Sequence, residues 1–126
     1  MIMWIAIHVR RKIEMVDEIT KLQAALDLFA FERDWHKYHT SPNLAKAISI
    51  EAAELLENYL WEDPTGRTGF KDRVAEEVAD IMIYCLMFCT ANGIDPLQAI
   101  REKMKINAAR YPVEKAKGNC KKAEEL

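Results

Sequence analysis

The sequence predicts an all-α protein, a four-helix bundle, and three observations carry that prediction. Apolar residues recur at intervals of three and four in four successive segments, the spacing that places side chains on one face of a helix. Two of these segments open on a capping residue followed by proline, Ser41-Pro42 and Asp95-Pro96, and one closes on a glycine, Gly93. No run of alternating apolar and polar residues, no glycine-rich phosphate loop and no internal repeat appears, so nothing argues for a sheet.

In chain order, residues 1–14 do not share the pattern of the later segments and read as an N-terminal extension. Met15, ahead of Asp17 and Glu18, makes a natural helix beginning. From Asp17, Ile19, Leu22, Leu26, Phe29 and Ala30 describe a first amphipathic helix ending near Trp35. The segment Glu32 to His39 then mixes aromatic, imidazole and charged side chains where a helix gives way to a loop. Its aromatics either staple the loop to the core or, in Trp35, stack on a base while His39 meets a polar group of a ligand.

A second helix is expected from about Asn43 to Trp61, with Ser41 as N-cap and Pro42 in the first helical position. Glu62 to Gly69, with Pro64, Gly66 and Gly69, is the one clear loop, placed to cover a bound substrate. The third helix runs from about Phe70 to Asn92. Its half from Ile81 to Cys89 is apolar nearly all round, which calls for burial on more than one side and therefore for a partner chain. The fourth runs from Leu97 to about Arg110 and stops at Pro112. Leu97, Ile100 and Met104 face inward; Lys103, Asn107 and Arg110 form a second stripe, either a solvated face or a phosphate clamp. Residues 15–112 are thus a helical domain and 113–126, rich in Lys and Glu, a tail.

Composition narrows the function. The 126 residues make one domain, and a net charge of −2 argues against a binder of nucleic-acid polymers that works by neutralising a phosphate backbone. A small phosphorylated ligand fits. The apolar opening Met1 to Val9 is too short to span a membrane and lacks the charge order of a signal peptide. Cys85, Cys89 and Cys120 form no disulfide framework, so a cytoplasmic location is expected.

The chemistry lies in two acidic pairs. Glu51 and Glu54 are three apart, and Glu51 falls three after Ile48 and four before Leu55, inside the apolar stripe. Glu77 and Asp80 repeat the spacing on the third helix, where Val74, Val78, Ile81, Cys85 and Phe88 mark the stripe and Glu77 falls three after Val74 and four before Ile81. Packing the two helices would bring four carboxylates together, and like charges in a half-buried place require a cation. An all-oxygen set suits Mg²⁺ or Mn²⁺ rather than zinc or copper. Acidic pairs that merely meet Lys and Arg on an oligomeric interaction module are the competing reading. A di-iron bundle loses, because it pairs Glu with His three later, where Glu54 and Asp80 stand.

Several of these segments, ERDW at 32–35, Asn43-Leu44, EAAELLE at 51–57, Trp61, EEVADIMIY at 76–84 and the ending from Lys103 to Pro112, together resemble the MazG-like all-α nucleoside triphosphate pyrophosphohydrolases, in particular the dCTP pyrophosphatase branch. The resemblance covers about Leu22 to Gly118. It implies that Glu51, Glu54, Glu77 and Asp80 hold Mg²⁺, that Trp35 and Trp61 sandwich a base, that His39 and Tyr84 line the pocket, and that Lys103, Asn107 and Arg110 meet phosphates. It also implies a homo-oligomer, a tetramer assembled from dimers, and a substrate such as dCTP or modified dCTP, with dUTP or another nucleotide as the alternative. Hydrolysis at the α-phosphorus needs a base for the attacking water, and Glu51 or Glu54 is the expected one. Leu26 stands where some relatives carry a pocket histidine.

Overall fold

In a computed structural model the chain is described over residues 2–61 and 66–126, with residues 2 and 4–17 described through their backbone. Among the described residues there is no strand. Five α-helices follow one another: α1 (Ile2–Glu32), α2 (Ser41–Glu57), α3 (Phe70–Ala91), α4 (Pro96–Arg110) and α5 (Val113–Ala116), with a 3-10 turn at Ala123–Glu125. The chain divides into two compact units, Met1–Gly93 and Ile94–Leu126. No helix of the described residues is long and apolar enough to cross a membrane.

In the first unit, α2 and α3 pack against each other and α1 lies on α3. The first helix reaches back to Ile2, well before the expected start at Asp17, because the amphipathic pattern fades there while nothing in the sequence breaks the helix: no Pro or Gly occurs between Ile2 and Glu32. It stops where Asp34 turns left-handed, φ 54°, a conformation Asp tolerates better than most residues. The Trp35 N–H then donates back to the Ala30 carbonyl at 2.9 Å.

The start of α2 differs by one residue from expectation. Thr40, not Ser41, is the N-cap, its hydroxyl accepting from the Asn43 N–H at 3.4 Å. Ser41, freed from capping, donates to Asn92 Oδ1 at 2.9 Å and ties the start of α2 to the end of α3. At its other end α2 closes at Glu57 rather than Trp61. The Asn58 N–H bonds back to Leu55 and its side-chain amide to the Glu54 carbonyl at 3.0 Å, so the chain turns out of the helix. Of the loop expected over residues 62–69, residues 62–65, with Pro64, lie outside the described residues.

The third helix ends as its sequence indicates, at Asn92 with Gly93 left-handed at φ 63°. Its inward stripe is Val74, Glu77, Ile81 and Phe88, whereas Val78 and Cys85, counted in that stripe from sequence, are exposed. Among the described residues only Ala30, Leu44 and Phe70 are buried, while Leu22, Leu28, Phe31, Leu56 and Met82 are each more than half exposed.

In the second unit α4 is capped by Asp95, which accepts from the Gln98 N–H at 3.0 Å, and ends at Arg110. The segment after Pro112 holds the short α5 and the 3-10 turn, and Arg110 is paired with Glu124 at 3.1 Å.

Candidate active site

The inward stripe of α2 is Leu44, Ala47, Ile48, Glu51 and Leu55, so burying Leu44 at one end draws Glu51 toward α3. There Glu51 meets Glu77 and Asp80: one carboxylate oxygen from each lies within 4.8 Å of the others. Glu51 and Glu77 are half-buried. Among the described residues no Lys or Arg pairs with any of the three.

Glu54 lies outside that trio. It lines a neighbouring depression with Glu57, Asn58 and Glu77, so Glu77 stands between the two groups. Glu57 was not singled out from the sequence, although it continues the spacing of three from Glu51 and Glu54.

Crowded carboxylates without a counter-charge hold their protons more tightly than usual. Burial, and then Glu54, Asp80 and Glu77, push the Glu51 carboxyl above its ordinary range. Partial desolvation and then the Glu54, Asp80, Glu76 and Glu57 charges push Glu77 up as well. Tyr84 is raised by burial, then by Glu51 and Asp80, and so keeps its phenolic proton as a hydrogen-bond donor. A raised carboxyl pKa means that the folded chain binds the proton more tightly than the unfolded one, so the mutual repulsion is a cost at neutral pH that is relieved as pH falls toward the raised value. Glu51→Gln is therefore expected to raise the melting temperature of chelator-treated protein at neutral pH, an advantage that shrinks on acidification. Equal melting of the two proteins at every pH would contradict this.

Three carboxylate oxygens this close, with no nitrogen or sulfur ligand among them, fit a hard divalent cation. The cluster also opens onto an apolar space. A cavity of about 360 Å³ is lined by Leu26, Phe29, Trp35, His39, Ile83, Tyr84 and Met87, and by Asp80. Asp80 thus belongs both to the carboxylate trio and to the cavity wall.

Trp35 stands edge-on to Phe29, with ring centroids 5.8 Å apart, and to His39 at 6.1 Å. Arg33 covers Phe29 at 3.5 Å from its ring centre. The His39 N–H donates to the Trp35 carbonyl at 3.1 Å, and Asn43 donates to the Tyr38 carbonyl at 2.9 Å, so the whole turn is pinned to α1 and α2.

The structure therefore brings together Glu51, Glu77, Asp80, Tyr84, His39 and Trp35. It does not bring Trp61 to the cavity: that residue is 93% exposed, in a left-handed turn at φ 76°. Lys103, Asn107 and Arg110 lie along the exposed surface of α4 in the second unit.

Comparison with known proteins places the chain in a family. The sequence profile of the MazG-like family matches residues 46–126. The dCTP pyrophosphatase 1 of Mus musculus is 35% identical over 117 residues, which cover 88% of this chain and 67% of that protein. The dCTP pyrophosphatase 1 of Homo sapiens is 33% identical over 117 residues with the same coverage, 88% and 67%. Among solved structures, a pyrophosphatase from Archaeoglobus fulgidus DSM 4304 is 40% identical and superposes with a TM-score of 0.68 over 75% of this chain and 93% of that one. With a profile matching well over half the chain, and relatives above 30% identity matched across two thirds of their own length, the chain belongs to the MazG-like all-α nucleoside triphosphate pyrophosphohydrolases.

Proposed function

We propose that the protein is a Mg²⁺-dependent pyrophosphohydrolase that cleaves a deoxynucleoside triphosphate, dCTP or a modified dCTP, to the monophosphate and pyrophosphate. The observation that carries this reading is the double role of Asp80, through which an apolar cavity and a carboxylate cluster lie side by side. Such a pair of compartments suits a ligand with an aromatic base at one end and a metal-binding polyphosphate at the other. The names of the Mus musculus and Homo sapiens relatives support dCTP.

Glu51, Glu77 and Asp80, with Glu54 alongside, would hold the cation; Mn²⁺ fits the same oxygen ligands. A divalent ion bound there offsets negative charge on the phosphate oxygens and makes the phosphorus more electrophilic. Trp35 stacks on the base, and His39 and the Tyr84 hydroxyl donate or accept within the cavity. Lys103, Asn107 and Arg110 bind phosphate oxygens. Glu51 or Glu54 takes the proton of the water that attacks the α-phosphorus in line; the bond to the bridging oxygen breaks and pyrophosphate leaves.

The protein acts as a cytoplasmic homo-oligomer, a tetramer assembled from dimers. Support comes from the exposed apolar residues of α1 and α3, among them Leu22, Leu28 and Met82, and from three thiols in no disulfide.

Release of pyrophosphate with Mg²⁺, measured across all deoxy- and ribonucleoside triphosphates, tests the reading. dCTP is expected to give the highest kcat/KM, and Mg²⁺ with nucleotide to raise the melting temperature, since a ligand of the native state stabilises it. Comparable kcat/KM for dATP and dCTP would remove the pyrimidine assignment. Absence of release for every nucleotide, with no thermal shift, would leave an oligomeric interaction module.

A further inference from the structure

The cavity that holds Trp35 is poor in groups able to tell one base from another. Leu26, Phe29, Ile83 and Met87 make no hydrogen bonds, and Asp80 and Tyr84 belong to the acidic end. His39 is the polar side chain that remains. Stacking on Trp35 gives affinity for any flat base, because every base presents a similar face.

A second, smaller cavity of about 90 Å³ adjoins the first, sharing Leu26, His39 and Met87 with it, and brings in Gln23, Asp27, His36 and Thr90. These four polar side chains are braced as two pairs across different elements. His36 Nε2 donates to Asp27 Oδ1 at 2.8 Å. Gln23 Nε2 donates to Thr90 Oγ1 at 3.0 Å, and the Thr90 hydroxyl in turn donates to the Leu86 carbonyl at 3.1 Å.

The bracing fixes what is left over. It uses one oxygen of Asp27 and the amide nitrogen of Gln23, while Asp27 Oδ2 and Gln23 Oε1 are engaged by no other described residue. Gln23 and Asp27 are four apart on α1 and hence neighbours on its surface. Gln23 and Asp27, which both line the annex, thus each retain an acceptor oxygen. The annex also returns an imidazole, that of His36, to the wall next to the apolar Leu26.

We infer that Asp27, held by His36, and Gln23, held by Thr90, determine specificity for a pyrimidine carrying an exocyclic amino group. A cytosine amine donates two N–H bonds from its edge and meets two acceptors. The carbonyl of uracil or thymine at the same position gains no hydrogen bond from these acceptors and is repelled by the Asp27 charge, so the analogue without a donor is disfavoured. The inference rests on the nucleotide reading of the site and goes beyond it in naming the residues that choose the base.

Binding of dCMP and dUMP by calorimetry tests this without requiring turnover. The native protein is expected to prefer dCMP by about ten-fold or more, the worth of one hydrogen bond to a charged group. Asp27→Asn, which offers an amide able to donate to a carbonyl, is expected to shrink that ratio severalfold. His36→Gln, which keeps a donor for Asp27, preserves more of the ratio than His36→Ala. Thermal melts of each variant confirm that it is folded. Equal affinity of the native protein for the two monophosphates, or a ratio unchanged in folded Asp27→Asn, would overturn the inference while leaving the pyrophosphohydrolase reading intact. Binding of neither nucleotide, with no pyrophosphate release, would overturn both.

Discussion

Glu51→Gln and Asp80→Asn are each expected to lower pyrophosphate release at saturating nucleotide by roughly 10²–10⁴-fold, the range over which removing a positioned base or a metal ligand acts. The effect is large because the three oxygens of the cluster lie within 4.8 Å of one another, so losing one charge weakens the hold of the other two on a shared cation. The same substitution relieves repulsion in the metal-free chain. An inactive Glu51→Gln that melts no lower than the native protein would separate lost chemistry from lost folding. Glu54→Gln adds a second distinction, since Glu54 stands apart from the trio beside Glu57 and Asn58. If it is the base, its loss depresses kcat and leaves the Mg²⁺ dependence in place, whereas loss of Glu51 or Asp80 shifts the half-saturating Mg²⁺ concentration upward. Activity within about threefold of native in both Glu51→Gln and Asp80→Asn would mean that the reaction takes place elsewhere.

Trp35→Ala is expected to raise KM for the nucleotide by roughly 5- to 150-fold, corresponding to about 1–3 kcal/mol for one base stacked on one aromatic ring. Its ring is held by Phe29 and His39 edges and by a turn whose backbone bonds return to Ala30, so the stacking surface is in place before the base arrives. Trp35→Phe should recover part of the loss, as a smaller ring keeps the stacking but covers less of the base. Because stacking is made equally with substrate and transition state, the change belongs in KM and not in kcat. An unchanged KM in folded Trp35→Ala would remove the base from this cavity.

The helices and the acidic cluster were legible in the sequence because both rest on local spacing. Glu51 and Glu77 sit in apolar stripes at intervals of three and four, and those stripes face each other in the structure. Ends were less legible where neighbouring residues compete for one role. Thr40 and Ser41 can both cap α2, and Pro42 is tolerated at either of the first two helical positions, whose N–H groups have no partner in the helix. Leu60 and Trp61 continue an apolar pattern past Glu57, but Asn58 bonds back to the helix and ends it. What periodicity could not show is tertiary: Asp27 and His36 belong to different elements and meet only because Asp34 reverses the chain between them. Glu57 was hidden for the opposite reason, since an acidic residue near the end of an exposed helix looks like any other solvated charge.

Only Ala30, Leu44 and Phe70 are buried among the described residues. In the homo-oligomer proposed above, apolar burial at the subunit contacts would add to this small core. The stability of such an assembly depends on dilution: its free energy of unfolding is defined only together with the concentration at which it is measured.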